Sequence, residues 1–109
     1  MLYINDNNIR LTRGDTAYLT VPIITASNEE YHMQSDDTLT FSVKKNESSE
    51  EYVLQKVVKG ANAIHIEPSD TSILPFGKYK YDVQINLNNG DVYTVIEPST
   101  FELMKEVTW

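Results

Sequence analysis

The sequence predicts an all-β fold, a two-sheet β-sandwich of seven to eight short strands with one short helical turn. Apolar residues alternate with polar ones along most of the chain, and no window has the i, i+3, i+4, i+7 spacing of an amphipathic helix. Turn signals separate the alternating segments. A chain of 109 residues with 40% hydrophobic composition can bury one core. We therefore expect residues 1–109 to form a single domain.

The first half of the chain contains three predicted strands. "IRLT" (9–12) ends at the turn signal Arg13-Gly14-Asp15, and "TAYLTVPII" (16–24) follows it with its apolar residues on one face. Residues 25–37 are polar and loop-like, although Tyr31 and Met33 allow a brief edge segment. "TLTFSVKK" (38–45) then directs Leu39, Phe41 and Val43 towards the core.

The second half continues in the same way. "YVLQKVV" (52–58) and "AIHIE" (63–67) are predicted strands separated by a turn at Lys59-Gly60. "PSDTSILPFG" (68–77) indicates one helical turn, capped by Ser69 or Asp70 and ended by Pro75. After a long hairpin, "TFELMKEV" (100–107) is predicted to be the last strand, with Phe101, Leu103 and Val107 on its inner face.

Two tyrosines in "PFGKYKY" (75–81) refine this fold class. In immunoglobulin-like sandwiches the sixth strand carries a tyrosine that bonds back to the preceding corner, and a core position that often holds cysteine lies two residues later. Tyr79 then is the corner tyrosine, Tyr81 replaces the cysteine, and Gly77 belongs to the same structural corner. The sequence thus predicts an immunoglobulin-like sandwich. The alternative is two ordinary strand tyrosines, since tyrosine is favoured in strands.

"LNNGD" (87–91) closes the next hairpin in one of two registers. A three-residue loop with Gly90 in the left-handed conformation turns Tyr93 and Val95 inward. A two-residue Asn89-Gly90 turn instead buries residues 92, 94 and 96. We favour the three-residue loop.

Charge and composition limit the function. The net charge of −7 repels phosphate backbones, so we expect no nucleic-acid partner. The start "MLYINDNNIR" has neither the basic region nor the apolar run of a signal peptide, and we expect no membrane span. The absence of cysteine suits a reducing compartment. Solvated loops are the simplest interpretation of the short acidic runs, because none has the ligand spacing of a calcium loop.

Catalytic chemistry is not indicated. His32 and His65 are the only histidines, and neither has a neighbouring nucleophile or a ligand at i+4. His65 alternates with inward residues and is expected on an outer face. Arg13-Gly14-Asp15 matches an integrin-binding tripeptide, but a tight turn requires the same residues. We expect no enzyme activity, no metal and no cofactor.

Four segments carry a resemblance to a known family, namely "LTRGDTAYLTVPI" (11–23), "DTLTFSVKK" (37–45), "LPFGKYKYDVQINLNNGDVYTVI" (74–96) and "FELMKEVT" (101–108). With them the chain resembles small immunoglobulin-like structural proteins of phages and prophages of Gram-positive bacteria, and is similar to the N-terminal domain of baseplate upper proteins. The resemblance implies a virion structural protein of the tail or baseplate that is made in the bacterial host cytoplasm. It also implies assembly through contacts with other phage structural proteins, without cofactors, and a homo-oligomer is left open. Since no receptor-binding region follows Trp109 here, we expect an adaptor or tail component.

The topology of such a sandwich predicts where a partner binds. Residues 25–37, 59–62 and 88–91 should meet at one end. An aromatic residue and a methionine without an evident core position suggest a contact surface, formed by Tyr31, His32, Met33, Asn88, Asn89 and Gly90. Alternatively, Tyr31 and Met33 cover the edge of their own sandwich. A second function, carbohydrate or surface binding, requires a row of exposed aromatic residues from Tyr18, Tyr52 and Tyr93.

Overall fold

The computed structural model describes residues 2–5, 7–25 and 27–106, with side chains described from residue 7 onward. Within those residues it contains eight strands and one helix. Their bounds are β1 Leu2–Asn5, β2 Asn8–Thr12, β3 Ala17–Thr20, β4 Thr38–Lys44, β5 Tyr52–Lys59, β6 Ala63–Ile66, α1 Pro68–Ser72, β7 Gly77–Asn86 and β8 Val92–Met104. The all-β prediction is confirmed.

Two sheets of unequal size form the fold. The large sheet has the strand order β1-β2-β8-β7-β4-β5, and the small sheet pairs β3 with β6. β2 runs parallel to β8, while the other neighbours are antiparallel. The alternation of apolar residues gives both sheets one buried face, and buried residues from both sheets belong to a single hydrophobic core. The fully buried side chains include Leu11, Leu39, Phe41, Ile64, Ile66 and Phe101.

Three aromatic rings, of Phe41, Tyr81 and Phe101, lie at the centre of the core, and we call them the aromatic centre. Phe41 of β4 is fully buried, and its ring centroid lies 5.3 Å from that of Tyr81 and 5.9 Å from that of Phe101. Tyr81 and Phe101 meet edge to face at 6.3 Å. Tilted and edge-to-face contacts place ring edges against ring faces, which suits their opposite partial charges.

The helix begins differently from the prediction. Glu67 is the N-cap and Pro68 takes the first helical position, where its missing N–H is harmless. Asp70 is the third helical residue, and its carboxylate accepts a hydrogen bond from the Glu67 N–H at 2.7 Å. The N-cap is therefore neither Ser69 nor Asp70, although Asp70 completes a capping box from the third helical position. The helix ends at Ser72, before Pro75 is reached.

Asp70 also holds the edge strand β5. Lys56 pairs with Phe41 of β4 and so shares the inner face, and its Nζ lies 2.6 Å from Asp70 Oδ2. An inward lysine on an edge strand discourages further strand pairing, because a new neighbour would bury its charge. The ion pair with the helix keeps this lysine satisfied within its own domain.

The segments around β3 and β8 depart from the predicted strands. β3 ends at Thr20, although Val21 and Ile23 remain buried. Residues 31–33 form no strand, and Ile24 makes only an isolated bridge with Glu30. The last two predicted strands are one strand, β8, because irregularities in its pairing with β7 accommodate Pro98. The predicted inward Val107 lies outside the described residues.

The β7–β8 hairpin has the three-residue loop. Gly90 N–H donates to Leu87 C=O at 2.9 Å, Leu87 N–H donates to Asp91 C=O at 2.8 Å, and Gly90 has φ +96°. The expected burial follows only in part. Val95 packs against the core, but Tyr93 is 56% exposed. Because the register shifts between Val83 and Gln84, Ile96 also contacts the core.

Candidate functional site

One carboxylate connects the loops at one end of the fold. Asp37 is 2% exposed, and its Oδ2 accepts hydrogen bonds from the Tyr31 hydroxyl and, at 2.9 Å, from Gln34 N–H. Its Oδ1 accepts a hydrogen bond from Asn88 N–H at 3.1 Å. The side chain therefore joins the loop before β4 to the hairpin between β7 and β8.

The Asp37 backbone adds a third loop. Its C=O accepts a hydrogen bond from Gly60 N–H at 2.8 Å. Gly60 has φ +73°, and a Cβ there would meet the Ser35 carbonyl oxygen at 3.3 Å. Both observations favour glycine, since the left-handed conformation and the close approach of Ser35 disfavour a side chain. The segments around residues 34, 60 and 88 are thus fixed to one residue.

The electrostatics of Asp37 agree with this role. The hydrogen bond from the Tyr31 hydroxyl, followed by those from backbone N–H groups, lowers the pKa of the Asp37 carboxyl despite its burial. The same hydrogen bond raises the pKa of the Tyr31 hydroxyl, because it stabilises the protonated phenol. Asp37 is therefore ionised at neutral pH and accepts hydrogen bonds in its charged form.

The predicted contact residues divide into two groups. Tyr31 and Met33 are partly buried and pack against the core. The argument that they lack a place in the fold does not hold. His32, Asn88, Asn89 and Gly90 are exposed at the same end of the molecule. The hydrogen bond from Asn88 to Asp37 holds the hairpin near the loop that carries His32.

The predicted structural corner lies at the start of β7. The Tyr79 hydroxyl donates to the Pro75 carbonyl oxygen at 2.5 Å, which closes the chain back onto the corner before the strand. Gly77 has φ +144°, a conformation that L-residues rarely adopt. The Tyr81 ring lies in the aromatic centre, its hydroxyl donates to the Asn7 carbonyl oxygen, and burial raises the pKa of this hydroxyl to about 12.

Substitution of Tyr79 tests the corner. We expect Tyr79→Phe to lower the free energy of unfolding by about 1 kcal/mol, because it removes the hydrogen bond to Pro75 and leaves the ring in place. Urea unfolding measures the change. Lys80→Gln on the neighbouring position is the control and should be nearly neutral. Equal losses in the two variants would contradict the structural role of Tyr79.

The Arg13-Gly14-Asp15 tripeptide lies at the opposite end and builds a turn. The Arg13 guanidinium donates to the Glu106 carboxylate at 2.6 and 3.2 Å and to the Leu74 carbonyl oxygen at 3.1 Å. Gly14 N–H donates to the Thr71 hydroxyl at 2.9 Å. The hydrogen bond from Arg13 lowers the pKa of the Glu106 carboxyl. These contacts use the arginine within the domain, as the turn interpretation requires.

The outer face of the large sheet carries a polar groove of about 580 Å³ between β4, β5 and β7. Gln55 donates to the Ser42 hydroxyl at 3.0 Å, and Lys44 Nζ lies 4.9 Å from the centre of the Tyr52 ring. Burial raises the pKa of the Asp82 carboxyl, and the positive charge of Lys44 opposes this shift. Hydroxyl, amide and charged groups beside one aromatic ring can hydrogen-bond a polar ligand. The lining residues are Thr40, Ser42, Lys44, Asn46, Glu47, Tyr52, Gln55, Lys80, Tyr81, Asp82, Gln84, Asn86 and Pro98.

The tyrosines proposed for carbohydrate binding do not form one row. Tyr18 belongs to the small sheet, where its ring stacks on His65 with centroids 4.4 Å apart. Tyr52 lies in the outer groove, whereas Tyr93 pairs with the buried Ile85. His65 is exposed, as predicted.

Residues 2–5, 7–25 and 27–106 contain no group of three or more His, Cys, Asp or Glu side chains that could hold a metal ion. Over the same described ranges, no helix has the length and apolar character needed to cross a membrane. The histidines lie apart, His32 in the loop before β4 and His65 in β6.

Metal independence is a direct test of this geometry. We expect the melting temperature to stay unchanged on adding millimolar calcium or magnesium, or a chelator, because only a ligand that prefers the native state shifts it. Differential scanning fluorimetry suffices as the measurement. A rise of several degrees with calcium would show a site that the sequence and the described side chains do not reveal.

Comparison of the chain with protein-family models, with curated proteins and with solved structures gave no match.

Proposed function

We propose that the chain is an immunoglobulin-like structural module of a phage or prophage virion, a tail or baseplate component that acts through protein–protein contacts without catalysis. The strand order supports the fold assignment. In the large sheet β8, β7, β4 and β5 match the G, F, C and C′ strands of such domains, while β3 and β6 pair as B and E do. The Tyr79–Pro75 hydrogen bond corresponds to the tyrosine corner.

The contact role is carried by one observation, the fixing of three loops to Asp37. Binding costs conformational entropy when loops must be ordered, and loops that are already held in place avoid much of that cost. Asp37 holds the loop before β4, Gly60 and Asn88 together, so the exposed residues on these loops form a preorganised surface. We define the loop-end surface as the exposed part of residues 27–36, 59–62 and 88–91.

Electron microscopy of purified particles tests the proposal, with the chain located in the map as the supporting result. A matched pair of variants tests the surface. Glu29→Arg changes an exposed charge in the loop-end surface, and Glu50→Arg makes the same change at the other end of β4. Both should melt like the parent domain.

We expect Glu29→Arg to reduce incorporation into particles and Glu50→Arg to leave it unchanged, since only the first alters the proposed contact. Absence of the chain from particles would refute the virion role. Equal incorporation of both variants would refute the loop-end surface while leaving the virion role in place.

Carbohydrate or surface binding is the second candidate, favoured by the polar groove beside Tyr52. Sugars stack on aromatic rings and hydrogen-bond to amide and carboxylate groups, and the groove supplies both. NMR titration with mixed oligosaccharides tests it. Shifts confined to the groove and lost in Tyr52→Ala, but kept in Tyr18→Ala, would support this candidate, whereas unchanged spectra would exclude it for those sugars.

A further inference from the structure

Half of the longest strand has an open edge. β8 spans Val92–Met104, but β2 pairs only with residues 101–104 of it. On the side away from β7, no described strand pairs with residues 92–98. A strand edge of this kind presents backbone N–H and C=O groups that another strand can bind.

The hairpin geometry shows which groups face that edge. The Leu87 N–H to Asp91 C=O hydrogen bond makes these two residues a hydrogen-bonded pair. Hydrogen-bonded and non-hydrogen-bonded pairs alternate along an antiparallel ladder. The pairs Asn86–Val92 and Gln84–Thr94 are therefore non-hydrogen-bonded. It follows that the N–H and C=O groups of Val92 and Thr94 point away from β7, to the open edge.

The side chains favour strand pairing. Residues 92–96 read "VYTVI", which are all β-branched or aromatic and uncharged. Val92, Tyr93 and Thr94 are exposed. The edge strand β5 has an inward lysine that discourages pairing, but this segment contains no such residue. Pro98, which cannot donate a hydrogen bond, limits the usable edge at its far end.

We propose that two copies of this chain pair antiparallel along residues 92–96 of β8, with Tyr93 opposite Tyr93. The occupant is a second copy because the segment is uncharged, so two copies of this acidic chain can approach here without placing charged side chains at the centre of the contact. The outward N–H and C=O groups of Val92 and Thr94 limit the possible two-fold registers. A residue with outward groups must lie opposite another such residue, which allows Val92 opposite Thr94, Thr94 opposite Thr94, or Val92 opposite Val92. The last of these places Thr94 opposite Gly90 of the turn and so forms fewer backbone hydrogen bonds.

Charge selects the first of these registers. With Thr94 opposite Thr94, Asp91 of each copy stands opposite Glu97 of the other, and like charges directly opposite destabilise a sheet. With Tyr93 at the centre, Asp91 stands opposite Val95 and Glu97 opposite Asn89. Val92 and Thr94 then exchange four backbone hydrogen bonds across the two-fold axis, and the two Tyr93 side chains are direct neighbours.

The dimer should be weak and sensitive to salt. A five-residue edge buries much less than the about 1,200 Å² of stable interfaces, so we expect association that depends on concentration. Each copy carries a net charge of −7, and salt screens the repulsion between them. The inference rests on the proposed role in protein–protein contacts. It adds a second copy of the chain as a partner and the β8 edge as a second contact surface, separate from the loop-end surface.

Sedimentation of the whole chain at increasing concentration and at two salt concentrations is the first test. We expect a monomer–dimer equilibrium that moves towards dimer at high salt. Thr94→Lys places a charge beside the open edge and should weaken association about tenfold or more. Gln84→Lys is the matched control, because Gln84 pairs with Thr94 but lies on the enclosed strand β7. It should dimerise like the parent.

A cross-link tests the register. The chain has no cysteine, so Tyr93→Cys introduces a single thiol. Opposite residues of a non-hydrogen-bonded pair have Cα atoms about 4.5 Å apart, which a disulfide can span. Mild oxidation should yield a covalent dimer, whereas Val57→Cys on the exposed face of β5 should remain largely monomeric.

A parent chain that stays monomeric at millimolar concentration and high salt overturns the dimer. Equal association of Thr94→Lys and Gln84→Lys, or equal cross-linking of the two cysteine variants, overturns the β8 edge as its site. Particle incorporation of a strictly monomeric chain would refute this inference and leave the virion role intact. A β8-mediated dimer that is absent from particles would support this inference and refute the virion role.

Discussion

Phe41→Ala is expected to lower the free energy of unfolding by about 3–5 kcal/mol. Phe41 is fully buried between Tyr81 and Phe101, and these two rings come from β7 and β8. Alanine would lose the transfer free energy of the ring and leave a cavity that neighbours from different strands cannot easily fill. Chemical denaturation measures the loss, and the variant should unfold at a markedly lower urea concentration with a similar dependence on urea.

Phe76→Ala is the matched control for this prediction. Phe76 is 54% exposed, and its ring lies 5.9 Å from the Arg13 guanidinium. The Lys105 Nζ lies 5.8 Å from the same ring. Removal of an exposed ring with two such contacts at the surface should cost no more than about 1 kcal/mol. Similar losses at positions 41 and 76 would contradict the arrangement of the aromatic centre.

Asp37→Ala is expected to lower the melting temperature by roughly 5 °C or more at neutral pH. The variant removes the acceptor for the Tyr31 hydroxyl and for two backbone N–H groups, from Gln34 and Asn88. Loss of three hydrogen bonds to a buried carboxylate is costly even where the donors are only partly buried, and the loops lose their common attachment. Asp36→Ala is the matched control, since Asp36 is exposed and only faces Lys59 at 3.6 Å.

The stability of Asp37→Ala relative to the parent chain should also depend on pH. Hydrogen bonding, above all from the Tyr31 hydroxyl, lowers the pKa of Asp37 below the ordinary 3.8. A carboxyl with a lowered pKa stabilises the fold above its unfolded pKa, and this stabilisation is lost as the pH falls through the folded pKa. The difference in stability between parent and Asp37→Ala should therefore be constant near neutral pH and shrink below about pH 3.8.

The titration of Glu106 must be removed from that experiment. Its hydrogen bond from Arg13 also lowers its pKa, so it contributes acid-dependent stability of the same sign. The comparison is best made in a Glu106→Gln background for both chains. A difference that persists unchanged to low pH would show that the Asp37 carboxylate charge does not carry the effect.

Local patterns were sufficient for much of the fold. Alternation with period 2 identified the buried faces of β4 and β7, because successive side chains of a strand point to opposite sides. Asn88-Asn89-Gly90 led to the three-residue loop, since glycine tolerates the left-handed conformation. Tyr79 could be identified as the corner tyrosine from its position in the sequence shortly after Pro75. Each of these features depends on residues close together in the chain.

The remaining features depend on residues far apart in the chain. Arg13 and Glu106 are separated by 93 positions, and Asp37 and Asn88 by 51. No local periodicity distinguishes Asp37 from its exposed neighbour Asp36, since burial is decided by where other loops pass. The open edge of β8 likewise results from the short reach of β2. Most strands and their inner faces could thus be predicted from local patterns, because side-chain direction and turn chemistry depend on neighbouring residues. Which loops share a carboxylate, and which strand edge stays open, could not be predicted in this way, because both depend on the path of the whole chain.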